Sequence, residues 1–385
     1  MNVFVHLRLF INISERVLGL SLSYRFAFSP ENRGEDWIVL EQDTGFSWNT
    51  GYGFSMPPAF SRYEDLMDSW PGDYFVPMKP SFLVNVPKGN YTVAVTYTGL
   101  AEAAALTVKE GCGRIVLDHA PAGVGESIRE EFAIHVCDGQ LKLAWDAKGV
   151  RVETIEIVHA PMLPSLFLAG DSTVTDQPSA GYPYTGWGQA IGKFLNAKIA
   201  VDNHARSGRS SRSFIVEDRL NRIWKLIKAG DVLVIQFAHN DEKEDERGTE
   251  PHSTYKEFLT RYIEGARERG ALPVLVSAMQ RRFFEEDGTI KDTHGDYIPA
   301  MEELARELEV PYINLAAKSR ALLEQVGDEP SKALFMWTAP GEYAGLPDGT
   351  TDNTHFSEQG ALAIAGLVAE GIRELNLPVL SDCLR

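Results

Sequence analysis

Cysteine is scarce in this chain. Its 385 residues include only Cys112, Cys137 and Cys383, and no two of them form a Cys-x-x-Cys pair. That spacing excludes the common zinc-binding and dithiol redox motifs. An odd number leaves at least one thiol unpaired. Cys112 and Cys137 could form a disulfide if their strands are neighbours, but we expect free thiols because the chain has the features of a cytosolic protein.

The chain also has few positive charges relative to negative ones, and it has no long apolar run. The 37 Lys and Arg residues are outnumbered by 54 Asp and Glu residues, which gives a formal net charge of −17. Binding to nucleic acid requires a basic surface, so we exclude that class of partner. No window holds the roughly 20 apolar residues of a membrane span. His6, Arg8 and Asn12 interrupt the apolar N-terminus, so we expect no signal peptide and a cytoplasmic location.

The length predicts two domains, and the periodicity changes once along the chain. Residues 1–160 contain short alternating or β-branched segments bounded by turn-forming residues, which predicts a β-sandwich domain. The clearest of these segments are residues 81–86, 91–97, 132–136, 141–145 and 151–158, the last of which we interpret as the final strand of the domain.

Two prolines in residues 160–164 mark a stiff linker, after which residues 164–385 form a second predicted domain. Nearly continuous apolar runs alternate there with helical stretches, which predicts a parallel sheet flanked by helices. The runs are residues 166–170, 197–201, 232–237 and 273–277, and the helical stretches include 253–269 and 298–308. Sites in such sheets lie beyond the carboxyl ends of the strands.

Chemically capable residues follow the first three of these runs. Ser172, in Gly-Asp-Ser-Thr, stands at a strand end and a predicted helix start, as a nucleophile would; alternatively, this segment only caps a helix. Gly208 could expose its backbone N–H to an oxyanion, or it is an ordinary loop glycine. Asn240 could donate through its side-chain amide, or it is a turn residue.

An acid and a histidine occur three residues apart near the C-terminus. Asp352 and His355 would lie on one side of a helical turn, in the loop that enters an amphipathic helix at residues 358–375. In that position the carboxylate can orient the imidazole while the other ring nitrogen faces a serine. A single Asp-x-x-His motif often has no catalytic function. It supports a catalytic role here only because the earlier candidate segments are also present.

Taken in order, these segments resemble the blocks of the SGNH (GDSL-like) hydrolases, over roughly residues 165–375. The resemblance implies an α/β class of fold, a flavodoxin-like three-layer α/β/α hydrolase domain preceded here by the all-β sandwich. It implies that Ser172 is the nucleophile, that His355 is the general base and acid, and that Asp352 orients His355. The oxyanion hole would comprise the N–H groups of Ser172 and Gly208 and the side-chain amide of Asn240. No metal or organic cofactor is implied.

Within that superfamily the chain resembles the rhamnogalacturonan acetylesterases. The similar segments are Gly-Asp-Ser-Thr, ARSGRSSRSF at 205–214 and DNTHFSEQGA at 352–361. An acetylated pectic polysaccharide or oligosaccharide is the implied substrate. Ala238 departs from the glycine usual in the asparagine block. Segments 49–54, 85–91 and 136–141 resemble a galactose-binding-like sandwich, which implies a possible carbohydrate-binding role for the N-terminal domain.

The substrate-binding candidates are less specific. Arg206, Arg209 and Arg212 surround Gly208 and could bind the carboxylates of galacturonate, or they could pair with nearby Asp and Glu. Tyr184 and Trp187, near the predicted nucleophile, could stack on sugar rings or close the core beneath the site. Two other functions remain open: a GDSL-type lipase or thioesterase acting on another acyl ester, and an inactive carbohydrate-binding protein. The sequence does not define the oligomeric state.

Overall fold

The structure of the protein, a computed structural model, describes most of the chain. Residues 1–21, to which the expectation about a signal peptide applies, lie outside the described residues, and so does Cys112. Cys137 and Cys383 are free thiols. The described residues are 22–28, 34–41, 44–55, 81–111, 113–178, 181–343 and 345–385.

Two five-stranded sheets pack face to face in the N-terminal half, which we call the sandwich. The first sheet has the strand order β2-β1-β10-β5-β8 and the second has the order β3-β4-β9-β6-β7. The strands are β1 (Ser23–Ala27), β2 (Ile38–Val39), β3 (Tyr52–Phe54), β4 (Ser81–Asn85), β5 (Gly89–Gly99), β6 (Ala104–Glu110), β7 (Arg114–Ala122), β8 (Ser127–Val136), β9 (Gln140–Lys148) and β10 (Val150–His159).

Alternation along these strands fills the space between the two sheets. Tyr91, Val93 and Val95 of β5 point into a core that they share with Leu106 and Leu143 of the opposite sheet. Side chains on successive residues of a strand face opposite ways, so every second residue reaches this core. The β-sandwich prediction is confirmed.

The C-terminal half contains a five-stranded sheet with the order β12-β11-β13-β14-β15, and all of its pairs are parallel. Numbered along the chain, this is the 2-1-3-4-5 order of flavodoxin-like folds, so the fold-class prediction is confirmed. The strands are β11 (Ser165–Gly170), β12 (Ala200–Asn203), β13 (Val232–Gln236), β14 (Leu272–Val276) and β15 (Tyr312–Ile313), followed by a hairpin of β16 (Phe335–Thr338) and β17 (Thr350–Phe356).

Helices cover both faces of the parallel sheet, and an apolar core lies on each side. In the described part of the chain they are α1 (Trp187–Ala190), α2 (Ser211–Val216), α3 (Arg219–Trp224), α4 (Lys256–Glu268), α5 (Tyr297–Glu307), α6 (Leu315–Val326), α7 (Asp328–Ser331), α8 (Glu358–Leu375) and α9 (Pro378–Ser381). No helix of the described residues is both long and apolar enough to cross a membrane.

The last strand of the sandwich ends at His159 and the first strand of the parallel sheet begins at Ser165. A short turn separates these two strands. Asn90 of the sandwich closes this turn, because its side-chain amide donates to Leu163 O at 2.8 Å and to Ser165 Oγ at 2.9 Å. The two halves therefore meet through polar contacts directly at the linker.

Candidate active site

The carboxyl ends of three neighbouring strands bring the predicted site residues together. β11 pairs with β12 on one side and with β13 on the other, so the direction of strand addition reverses at β11. Ligands of doubly wound sheets bind at such a switch point. Ser172 follows β11, Gly208 follows β12 and Asn240 follows β13.

Three side chains form a continuous hydrogen-bonded row above this edge. His355 Nε2 lies 2.8 Å from Ser172 Oγ, and His355 Nδ1 lies 2.7 Å from Asp352 Oδ2. About 30% of the His355 side chain and 24% of the Asp352 side chain remain exposed. The serine hydroxyl thus faces a base that is already oriented by a carboxylate, in a place that solvent and substrate can reach.

A strand bulge, not a helical turn, places Asp352 beside His355. Asp352 pairs with Met336 across the β16–β17 hairpin, whereas Phe356 pairs with the very next residue, Phe335. Residues 353–355 therefore have no counterpart on β16, and the chain loops out between the two pairs. The predicted helical turn is wrong, because the strand pairing extends to Phe356 and α8 begins only after it.

The carboxylate of Asp352 also organises the bulge. Its Oδ1 accepts the backbone N–H groups of Thr354 at 2.7 Å and of His355 at 3.0 Å. Partial burial by itself would raise the pKa of Asp352, but the hydrogen bond and charge of His355 and these backbone donors lower it to about 2. Asp352 is therefore ionised at neutral pH and fixes the tautomer in which His355 Nδ1 carries a proton.

Ser172 lies in a tight turn, residues 171–177, which we call the serine turn. The Asp171 carbonyl accepts the N–H groups three and four residues later, at 3.2 Å and 3.0 Å. Gln177 donates its side-chain amide to the Ser172 carbonyl at 2.6 Å. The predicted helix start at Ser172 is wrong, since the first described helix after β11 begins at Trp187.

Gly208 has the left-handed backbone angle φ = +79°, which a glycine adopts without steric cost. Asn240 donates its side-chain amide to Arg209 O at 3.1 Å, so this amide is held against the glycine loop, residues 204–210. In the described part of the chain, the backbone N–H groups of Ser172 and Gly208 donate to no backbone carbonyl. These three groups lie on the segments that follow β11, β12 and β13.

The residues on either side of Asn240 anchor it to two other elements. His239 Nδ1 lies 3.3 Å from Asp171 Oδ2, which ties β13 to the serine turn. Asp241 accepts the backbone N–H of Ser211 at 3.1 Å and also its hydroxyl, which ties β13 to the start of α2. Burial lowers the pKa of His239 to about 4 and raises the pKa of Asp241 to about 7.

The predicted substrate-binding arginines have different environments. Arg209 pairs through Nε with both carboxylate oxygens of Glu217, at 3.1 Å and 2.9 Å. This is the alternative in which the arginine pairs with a nearby acidic residue. Arg206 is half-buried; burial and then the nearby positive charges of Arg219 and Arg209 lower its pKa. Arg212 is exposed at the start of α2. The rim beside Gly208 thus holds more positive than negative charge.

The two aromatic candidates also differ. The ring of Tyr184 makes an edge contact with the His355 ring at a centroid distance of 5.8 Å and remains partly exposed. Trp187 is fully buried and donates Nε1–H to Gln236 Oε1 at 2.9 Å. The prediction that Trp187 stacks on a sugar is wrong, because it fills the core beneath the site.

Sequence reasoning missed two groups that support the site. Arg247 Nη1 lies 3.4 Å from Gly208 O, and Asp245 holds the same guanidinium. Asn353, inside the bulge, accepts from Trp337 Nε1 at 2.9 Å and from the buried Arg282 at 3.1 Å. The only sequence signal for Arg247 is a lone arginine in an acidic run, and nothing local marks Arg282. Among the described residues, no cluster of His, Cys, Asp or Glu is arranged to hold a metal ion.

The chain is similar to several known proteins. Residues 168–363 match the GDSL-like Lipase/Acylhydrolase family. The rhamnogalacturonan acetylesterase RhgT of Bacillus subtilis is 52% identical over 214 residues, which are 56% of this chain and 91% of that protein. The probable rhamnogalacturonan acetylesterase YesY of the same organism is 40% identical over 58% of this chain and 99% of that protein.

A solved structure is similar to both halves of the chain. The crystal structure of Bacillus subtilis protein YxiM matches 92% of this chain and 99% of that chain, at 23% identity and a TM-score of 0.52. At that identity the likeness concerns the fold alone. It extends through the sandwich as well as the parallel sheet.

Proposed function

The chain belongs to the GDSL-like lipase/acylhydrolase family, and we propose from this that it is a serine esterase that removes acetyl groups from rhamnogalacturonan or its oligosaccharides. The observation that carries the proposal is the row of Asp352, His355 and Ser172, with contacts of 2.7 Å and 2.8 Å. This row stands at the switch point of the sheet, beside the groups that would stabilise an oxyanion.

Acylation begins when Ser172 Oγ attacks the acetyl carbonyl and His355 Nε2 takes the hydroxyl proton. A new bond joins Oγ to the acetyl carbon, and the bond from that carbon to the sugar oxygen breaks. The imidazolium returns its proton to the departing sugar oxygen, which leaves as a hydroxyl. Asp352 stays ionised and stabilises the imidazolium between these two transfers.

Deacylation repeats these steps with water in place of the sugar. His355 Nε2 removes a proton from water as the water oxygen attacks the acetyl carbon. The bond from that carbon to Ser172 Oγ then breaks, Oγ recovers its proton from the imidazolium, and acetic acid leaves. Each half of the cycle develops a negative charge on the carbonyl oxygen, for which we assign the Ser172 and Gly208 N–H groups and the Asn240 amide as donors.

The substrate assignment rests on the relatives and on local charge. Both named relatives are described as acetylesterases of rhamnogalacturonan, a polymer that contains galacturonate. Arg206, Arg209 and Arg212 put positive charge beside Gly208 in a chain whose net charge is −17. A guanidinium binds carboxylates through paired hydrogen bonds, so we assign Arg206 and Arg212 to galacturonate binding and Arg209, through Glu217, to support of the loop.

The sandwich and the location complete the proposal. We retain residues 1–160 as a galactose-binding-like domain that could hold carbohydrate and residues 164–385 as the catalytic domain. A cytoplasmic location also stays a prediction. If it is correct, oligosaccharides rather than the intact polymer are the substrates available to the enzyme.

Two measurements test the proposal. Acetate release should be faster from acetylated rhamnogalacturonan than from acetylated xylan, and it should be lost in Ser172→Ala but kept in Ser127→Ala, which removes an exposed hydroxyl from β8. A fluorophosphonate probe should label wild type but not Ser172→Ala. Faster hydrolysis of long acyl chains than of acetate would identify a lipase or thioesterase instead, and failure of the probe to label wild type would contradict a serine esterase.

A further inference from the structure

We propose that the sandwich positions the catalytic serine, and that Arg114 at the start of β7 is the positioning residue that does so. The inference rests on the function proposed above and deepens it. The N-terminal half then acts inside the catalytic machinery, whatever carbohydrate it also binds.

Arg114 joins the two halves of the chain at the serine turn. Its Nε donates to Asp176 Oδ2 at 2.9 Å, and its Nη1 donates to Val201 O at 3.1 Å. Asp176 is part of the serine turn and Val201 belongs to β12, the strand that leads to the glycine loop. Nη1 also lies 3.1 Å from Glu110 Oε1, at the end of β6. One guanidinium thus connects the sandwich to the segments before Gly208 and after Ser172.

Burial makes removal of this arginine more costly than removal of one partner of a surface ion pair. Arg114 and Glu110 are each 4% exposed and Asp176 is 3% exposed. Burial is the main cause that raises the pKa of Glu110 to about 7, against the opposing charge of Arg114. Loss of the arginine would remove a buried cation from beside two buried carboxyl groups, a change that favours protonation, entry of water or movement of the turn.

Hydrogen bonds connect Asp176 and its neighbours to the segment that leads to Gly208. Asn203 donates its side-chain amide both to Asp176 Oδ1 and to Val174 O, each at 2.9 Å. Thr175 donates its hydroxyl to Ala205 O at 2.6 Å. These bonds set the position of the serine turn against the glycine loop, so a shift at Asp176 would move Ser172 relative to Gly208.

A second contact reaches the other end of the catalytic row. Lys109, next to Glu110 in β6, forms an ion pair with Glu358, the first residue of α8. The Lys109 ammonium also lies 5.5 Å from the centre of the Tyr182 ring. Since α8 begins three residues after His355, the β6–β7 hairpin contacts the segments that carry both the serine and the histidine.

The test uses the full chain and three variants. Arg114→Met removes the guanidinium but keeps most of its bulk, and Arg114→Lys keeps the charge without the branched set of donors. Phe82→Leu is the matched control: Phe82 is fully buried in the sandwich core, so the variant destabilises the sandwich without touching the serine turn. Each is assayed for kcat and KM on para-nitrophenyl acetate, for fluorophosphonate labelling of Ser172 and for Tm.

We expect Arg114→Met to lower kcat and the labelling rate together by about tenfold or more, because small misplacements of a reacting atom have effects of this size. KM should stay within about twofold, and Arg114→Lys should recover part of the loss. Phe82→Leu should lower Tm with little change in kcat. If Arg114→Met does not fold, Arg114→Lys decides: a lower kcat at an unchanged Tm supports the proposal.

The inference would be overturned if a folded Arg114 variant had the same kcat and labelling rate as the wild type. It would also be overturned if Phe82→Leu, at a matched Tm, lost as much kcat as the Arg114 variant. These outcomes leave the proposed function intact, because wild type would still be labelled at Ser172. Absence of labelling in wild type would instead reject the proposed function itself.

Discussion

Asp352 holds His355 at two points: one carboxylate oxygen contacts the ring Nδ1 at 2.7 Å, and the other accepts the backbone N–H of the same residue at 3.0 Å. The carboxylate therefore fixes the histidine's backbone as well as the orientation and tautomer of its ring.

Asp352→Asn should lower kcat by roughly 10⁴-fold, as the equivalent change does in a serine protease, because the amide favours the wrong tautomer. Steady-state kinetics on para-nitrophenyl acetate would show the effect. Asp348→Asn is the control, since Asp348 is exposed in the same hairpin. A loss of less than about tenfold would mean that Asp352 does not orient the base.

The pH dependence of kcat/KM should separate the two members of this pair. Asp352, with a pKa lowered to about 2, remains ionised as the pH falls and loses its charge only in strong acid. An imidazole accepts a proton only when neutral, so kcat/KM should decline on acidification in the range where histidines as a class titrate, near pH ~6.5. Full activity at pH ~4 would exclude a neutral imidazole as the base.

Gly208→Ala should lower kcat through strain. The added Cβ finds space, because its nearest neighbour would be Arg247 Nη1 at 3.9 Å, but a left-handed backbone costs a non-glycine residue roughly 1–2 kcal/mol. Relaxation of that strain would turn the Gly208 N–H away from the oxyanion. Gly288→Ala is the matched control, with φ = +83° and nothing within 4 Å of the new Cβ. It should lose similar stability and keep its kcat.

Asn353→Ala should weaken the site from within the bulge. Its Oδ1 accepts from Trp337 and from Arg282, and loss of the acceptor would leave these donors unpaired at a cost of about 1–3 kcal/mol. Both Tm and kcat should fall. Asn353→Asp keeps an acceptor oxygen and should recover much of each, whereas recovery of Tm without kcat would show that the contact serves stability alone.

Arg206→Gln should affect only substrates that carry carboxylates. A charge-assisted hydrogen bond contributes about 1.5–3 kcal/mol, so kcat/KM on acetylated rhamnogalacturonan should fall about tenfold or more. Loss on para-nitrophenyl acetate should stay below about twofold. Added salt should slow the wild-type reaction on the polymer more than that of the variant, because salt screens exposed charges. Equal losses on both substrates would show that Arg206 supports the loop.

The local sequence pattern was sufficient to predict where the residues that follow the parallel strands would lie. Ser172, Gly208 and Asn240 each come after a buried run, and parallel strands bring their carboxyl ends to one edge, so the order along the chain predicts their meeting. The end of β17 could not be predicted in this way. Its bulge depends on pairing with Phe335 and Met336, and a spacing of three residues is compatible with a helical turn as well.

Side-chain burial and contacts between residues far apart in the chain could not be predicted from the sequence. Trp187 and Tyr184 stand in the same aromatic segment, yet one is in the core and the other is at the site. β15 has only two residues, too few for a periodic pattern. Arg114 contacts Asp176 across 62 residues of chain, and neither residue lies in a recognisable motif, so only the packing of the two halves reveals the contact.

The buried Arg114 and Asp176 pair also has an evolutionary consequence. A lineage that lost the sandwich would expose an acidic side chain behind its own nucleophile, without the cation that neutralises it. Hydration, a substitution at position 176 or a new cation from another element would then have to stabilise this carboxylate. We therefore expect the residue at this position to covary with the presence of the sandwich among homologues.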